Sequence, residues 1–419
     1  MSSTSRRTIA VLVNLLLVSS AAADWEQLNS GTIAELYSVH FPEGTQVGYA
    51  VGGVNESLGG QSVVVKTTDG GANWVTHNME FHGGLYSVYF KDNNNGFALG
   101  AEGEAIRTTD GAATWDTMAI PDGGVLNSIQ FPENGQIGYI GLCPKDFGSR
   151  VLKTTDGGDN WATIIISGPL PTSRSCRMAT DNIGVVVGDS GFVVATTDGF
   201  GTYVAQGPQT IARLSAAAFS PADPNKGYLI GNDLTHGVIR YTDDGGATLW
   251  DSVTCPTVTF LCGVDMPTNN VAYFCGMDGF IGKTLTPTYI QNTEVPSGVT
   301  GTMCGLCFPN GADTGFAVGV QGVILRTYDG GGVQGIADAR APAAGRTGIR
   351  VVSNPSPHGI TFRADADVYV VVFDAAGRVV KKQAANRGLN FLPLSKSGVY
   401  VVKVTTKGFS TTQKLVVEH

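Results

Sequence analysis

A chain of 419 residues is long enough for two or three domains, and its 57 glycines with only 15% charged side chains favour many short strands joined by tight turns. Charge is split along it: residues 24–339 carry 13 Lys and Arg against 31 Asp and Glu, a net −18, whereas 349–419 carry 10 against 4, a net +6. A body that acidic should repel nucleic acid and anionic membranes at long range, so no nucleic-acid partner is expected, and the charge also serves solubility.

The first predicted element, residues 1–23, is an export signal. Arg6 and Arg7 form its basic region, 9–18 is apolar, and Ala21, Ala22 and Ala23 satisfy the small-residue cleavage rule. The apolar run is interrupted by Asn14 and is too short to cross a bilayer. No other segment is a candidate, so no transmembrane segment is expected.

Residues 24–331 are built from a repeat. "KTTDGGANW" at 66–74 returns as "RTTDGAATW" at 107–115 and "KTTDGGDNW" at 153–161. Its aspartate recurs as Asp69, Asp110, Asp156, Asp198, Asp244 and Asp329, with a degenerate copy, "KTLTPTY", at 283–289. Each unit opens with an apolar strand such as "LYSVHF" (36–41), "LYSVYF" (85–90) or "MCGLCF" (303–308). A Gly-bounded strand follows ("GYAVG", "GFALG", "GFAVG"), a third strand runs into the aspartate turn, and a fourth carries an aromatic residue. Four strands per unit, repeated seven times, predict a seven-bladed β-propeller.

The third residue of the opening strands is Ser38, Ser87, Ser128, Ser175, Ala216, Gly263 and Gly305, as expected where seven strands crowd an axis. Trp25, Trp74, Trp115, Trp161 and Trp250 share one repeat position, and Tyr203 and Tyr289 take it in two other copies. These aromatics are predicted to wedge between blades. The copy at Asp329 has no aromatic after it, whereas "DWEQLNSG" at 24–31 is an orphan fourth strand. The N-terminal segment is therefore predicted to complete the seventh blade and close the ring, leaving no open edge.

Residues 332–348, rich in Gly and Ala, read as a linker. Residues 349–419 alternate as short strands around "DAAGR" (374–378) and "SGVYVVKV" (397–404), predicting a small β-sandwich.

Candidate chemistry is sparse. Seven cysteines cannot all pair within the chain, and they read as small apolar filler with their pairing left open. Cys304 and Cys307 form a CxxC in an apparent strand, where positions i and i+3 face opposite ways, unlike a helix-borne redox site. Cys262 and Cys304 fall at equivalent positions of adjacent repeats. "GDSG" at 188–191 occupies an ordinary hairpin between second and third strands, and "DNNNG" at 92–96 is a plain turn. The six histidines show no metal-ligating spacing, so neither metal nor cofactor is expected. Arg174, Arg177 and Arg213 gather where the fourth and fifth blades begin and form the candidate binding face.

The T-x-D-x-G-x-x-W pattern resembles the Asp-box of bacterial neuraminidase-type repeats, a turn between a blade's third and fourth strands that lies away from the active site in families carrying it. The unit "GYAVG…VVVKTTDGGANW" resembles the photosystem II stability/assembly factor family of seven-bladed propellers, over nearly all of 24–331. That family binds a nascent protein through a basic patch, from which this acidic body departs. Residues 349–419 resemble the type IX secretion sorting domain, through "NPSP" (354–357), "VFDAAGRVV" (372–380), "GLNFLPL" (388–394), "SGVYVVKV" and Lys414. That resemblance implies the type IX machinery as partner, removal of the domain, and release or surface attachment. The expected function is an exported or cell-surface scaffold that recognises a protein or glycan with its propeller. The alternative is an extracellular glycan-active hydrolase of sialidase or xyloglucanase type.

Overall fold

A computed structural model describes residues 25–331 and 349–418, apart from 54–59, 134, 146–147, 168–170, 207–211, 234, 254–259, 287–288, 292–296 and short connections within the last 70 residues. The predicted export signal and the linker at 332–348 lie outside the described residues. Seven antiparallel four-stranded sheets follow one another over residues 35–82, 85–117, 124–167, 173–206, 213–253, 261–291 and 303–327, the last completed by 26–28. Glu26–Leu28 pairs with Ile324–Thr327 in the register Glu26↔Arg326, Gln27↔Leu325, Leu28↔Ile324. The seventh blade is thus closed by the N-terminus. No helix of the described residues is long and apolar enough to cross a membrane. The tail is a small β-sandwich of a three-stranded and a five-stranded sheet, with Val370, Val372 and Leu392 buried.

At four of the seven seams one blade packs on the next through a repeated aromatic stack. Phe90, ending the first strand of blade 2, stacks on Tyr49 of blade 1 and meets Trp115 edge-on. Phe131, Phe97 and Trp161 repeat this one blade later, Phe41, Phe316 and Trp74 across the closing seam, and Phe308, Tyr273 and Trp25 before it. Trp250 is buried against Phe219 in a cluster shared with Val185 and Val187 of the preceding blade. In the five blades whose opening motif ends in phenylalanine, a glycine opens the second strand and lets the ring lie flat: a Cβ on Gly48 or Gly96 would strike the ring of Phe41 or Phe90. Edge-to-face pairs of this kind add about 1 kcal/mol each beyond the area they bury.

The fourth blade departs from the expectation. Tyr203 is 40% exposed and donates its hydroxyl to the Ile165 carbonyl of blade 3 at 3.0 Å, so it reaches the preceding blade at the rim but does not fill the buried wedge. Phe200 does, buried edge-on against Tyr139. It stands where other copies carry Gly71 or Gly158, at φ +66°, a conformation costly for a bulky residue and held here by burial of the ring. Tyr289 lies on the strand Tyr289–Gln291, but its side chain is outside the described residues.

The Asp-box turns are held by a threonine and an aspartate together. Thr67 Oγ1 donates to Asp69 Oδ1 at 2.9 Å and accepts the Gly71 N–H at 3.0 Å. The Asp69 carboxylate accepts the Asn73 backbone and side-chain N–H groups at 2.9 and 2.7 Å. The pattern recurs at Asp110, Asp156, Asp198 and Asp244, and Thr327 makes the same bond to Asp329. The lysine that opens the motif straps blades together: Lys66 Nζ donates to the Gly111 carbonyl of the next blade's turn at 2.6 Å, and Lys153 does so to Gly199 at 2.9 Å. On the way they cross the rings of Tyr49 and Tyr139.

Those bonds to the ionised carboxylates, led by the side chains of Asn73 and Thr114, hold Asp69 and Asp110 down at about 2. A carboxylate depressed on folding contributes stability that is complete above its unfolded value near 4 and is lost as pH falls towards 2. Asp69→Asn is accordingly expected to melt a few degrees lower at pH 7 and to lose less than wild type between pH 4 and pH 2. Thermal melts across that range check it; parallel curves would refute the role.

Candidate binding site in the axial channel

The seven inner strands surround a channel of about 440 Å³. Every one of them carries a β-bulge, at Leu36/Ser38, Leu85/Ser87, Leu126/Ser128, Ser173/Ser175, Leu214/Ala216, Leu261/Gly263 and Met303/Gly305. A bulge re-aims the inserted side chain, and Tyr37, Tyr86, Asn127, Arg174, Ser215, Cys262 and Cys304 all line the channel. The bulge also breaks the expected alternation at the CxxC: Cys304 and Cys307 both reach the channel, rather than facing opposite ways.

Below this ring the small third residues do local work. Ser38, Ser87 and Ser128 accept the N–H groups of Val88, Ile129 and Cys176 on the neighbouring inner strand at 3.0–3.3 Å. The fifth residues form the next ring, and most of them also staple one blade to the next. His40 Nδ1 accepts the Phe90 N–H at 3.2 Å, Tyr89 donates to the Phe131 carbonyl at 2.7 Å, and Gln130 donates to the Met178 carbonyl at 2.7 Å. Asp265 accepts the Phe308 N–H at 2.7 Å and the Met266 N–H at 2.9 Å.

Arg177 is the exception. Its guanidinium makes no hydrogen bond or ion pair with another described residue, and it is exposed within the channel wall. Its charge is felt all the same. Burial, reinforced by Arg177, pushes His40 down to about 3, so that ring is neutral. Burial raises the Asp265 carboxyl, and Arg177 opposes that rise.

The arginine cluster seen in the sequence therefore divides. Arg174 holds Asp189 through Nε at 3.0 Å and Nη2 at 2.9 Å, and Arg213 approaches the same carboxylate at 3.6 Å. Asp189 belongs to the "GDSG" turn on the face where the inner strands begin. Arg177 lies three residues along the strand from Arg174, about 10 Å towards the Asp-box face. The three do not form one free basic face. Sequence reading missed the two variable rings; their signal is that the fifth position of the opening strand differs in every copy and the second takes five residue types in seven copies, while their neighbours largely repeat.

"DNNNG" is a turn, with Asp92 accepting the Asn94 and Asn95 N–H groups at 2.7 and 2.8 Å. No group of three or more His, Cys, Asp or Glu among the described residues is placed to hold a metal.

Fold and channel together define a seven-bladed Asp-box propeller carrying a sandwich tail. Two family models match the chain: photosynthesis system II assembly factor YCF48 over residues 73–222, and a secretion system C-terminal sorting domain over 351–418. The tail is thus a type IX sorting domain, and it directs the protein to the cell surface or the medium. No curated protein matches the chain by sequence. Among solved structures it is similar to YCF48 bound to a D1 peptide (20% identity, 73% of this chain and 96% of that one, TM-score 0.57). It is also similar to PorZ, a surface component of the type IX system of Porphyromonas gingivalis (14%, 89% and 58%, 0.53). A GH74 enzyme of Niastella koreensis is a third such structure (13%, 90% and 65%, 0.50). At these identities the likeness is one of fold.

Proposed function

We propose that the exported propeller is a binding module whose ligand, a protein segment or a glycan, places one anionic group against Arg177 in the axial channel. The observation that carries this reading is the unspent guanidinium of Arg177 in a ring whose other polar members are occupied with the neighbouring blade's backbone. The similar propeller bound to a D1 peptide supports a peptide as one ligand class. The −18 body disfavours polyanions, which leaves ligands bearing a single carboxylate or similar group.

The glycan-hydrolase alternative is less well supported. Hydrolysis by the usual routes needs two carboxyl groups facing the scissile bond. Among the described residues Asp265 is the one acidic side chain of the channel wall, and both its oxygens accept backbone N–H groups.

Arrays of peptides with free or amidated C-termini, and of neutral or acidic glycans, test the proposal. Hits should bear one anionic group, weaken about tenfold or more in Arg177→Ala, as expected for a lost charge-assisted bond, and recover partly in Arg177→Lys. Hits that bind Arg177→Ala as tightly as wild type would refute the site.

A further inference from the structure

We propose that Cys262 and Cys304 are joined as a disulfide during export, stapling the inner strands of blades 6 and 7 at the channel wall. The inference is independent of the ligand reading. Both residues occupy the bulge position of their strands, one repeat apart, and both line the channel. At the next residue the two backbones nearly touch: a Cβ on Gly263 would lie 3.3 Å from Gly305 Cα and 3.1 Å from the Cys304 carbonyl oxygen. Adding one Cα–Cβ bond to the first distance puts the Gly263 and Gly305 Cα atoms within about 5 Å. Cys262 and Cys304 stand one residue earlier on the same two strands and feel each other's charge, and a disulfide needs their own Cα atoms within about 7 Å. Cys275 Sγ lies closer still to that Cβ position, at 2.8 Å, so a side chain at 263 is crowded from both sides, and glycine stands at the third position in blades 6 and 7 alone.

Blades 6 and 7 also lack what the early blades have. Ser38, Ser87 and Ser128 tie their inner strands to the following blade through hydroxyls; Gly263 and Gly305 have none. Blade 6 carries the degenerate box, "KTLTPTY", without the aspartate that holds the outer turn elsewhere. A covalent link at this seam stands where the hydroxyl tie and the Asp-box turn are both missing.

A third thiol, Cys275, is paired in register with Gly263 and fully buried. Burial raises all three thiols; a charge on Cys262 would raise Cys275 and Cys304 further, whereas Arg213 opposes the rise at Cys262 itself. As neutral thiols in the folded ring they exchange slowly, so the bond forms while the last blades are assembling. The step is a thiol–disulfide exchange: Cys262 and Cys304 each give up a proton, and together two electrons, to a disulfide-bearing oxidant of the export compartment. One S–S bond forms, and the oxidant leaves as a dithiol. Cys275, with no route to the channel, stays reduced.

The seven cysteines allow a count. Protein secreted by a type IX host, which keeps all seven cysteines whether or not the tail is removed, is denatured without reductant, alkylated and weighed intact. Five alkyl groups are expected before reduction and seven after, with a chymotryptic fragment linking Cys262 to Cys304. Cys262→Ser and Cys304→Ser should each take up six groups without reductant, and Cys275→Ser four. Reduction should lower the wild-type melting temperature by about 5 °C and leave the double serine variant unmoved. Seven groups on unreduced wild type, or a linked fragment containing Cys275, would overturn the assignment, and neither result depends on a variant folding.

Discussion

Deleting residues 24–31 is expected to lower the melting temperature by about 5–10 °C and to make the protein associate in a concentration-dependent way. Trp25 is 2% exposed and packs among Tyr273, Phe308 and Leu325; emptying such a pocket costs roughly 3–5 kcal/mol. Glu26 pairs with buried Arg326 at 3.1 Å, but Glu26 itself is largely exposed, so that ion pair adds under about 1 kcal/mol. Arg326 also reaches the Gly70 carbonyl of blade 1 at 3.5 Å and lies over Tyr328, contacts the deletion leaves in place. The tryptophan carries the thermal effect. The association has a different cause: Ile324–Thr327 becomes an unpaired edge, a template for another chain's strand. Calorimetry and light scattering on the truncated protein check both halves, and an unchanged melting temperature would remove the closing role of the N-terminus.

A chain ending at Gly332 is expected to melt with the full-length propeller's transition and yet to be lost from the cell surface and medium. All seven blades close with residues 26–331, so nothing in the propeller awaits the tail. The +6 module at 349–419 carries the sorting-domain match. In a host with type IX machinery the shortened chain should accumulate in the periplasm, and residues 332–419 fused to an unrelated exported protein should carry it out. Retention of that fusion, in a host exporting its own sorting-domain cargo, would show that the segment is not a sufficient address.

The repeating scaffold was legible because each blade must solve the same packing problem with the same residues. The phenylalanine ending the first strand, the glycine beneath it, and the Thr–Asp pair of the turn appear in copy after copy, so blade number and the closing strand could be counted. Where one copy solved the problem differently, counting failed. Phe200 took the wedge in blade 4 from a position where a glycine was expected, and only the burial of its ring against Tyr139 reveals the exchange.

What the amino-acid order alone determined is therefore the architecture and the address: seven Asp-box blades, an N-terminal strand that closes them, and a sorting tail of opposite charge. What only the tertiary structure decided is the channel. Arg177, His40 and Asp265 stand far apart in the chain and acquire a shared electrostatic environment only when the ring closes. The approach of Gly263 to Gly305 likewise depends on how two bulged strands meet. The bulges turn one side chain per blade towards the axis, and a period-2 reading of strands assigns those residues to the wrong side.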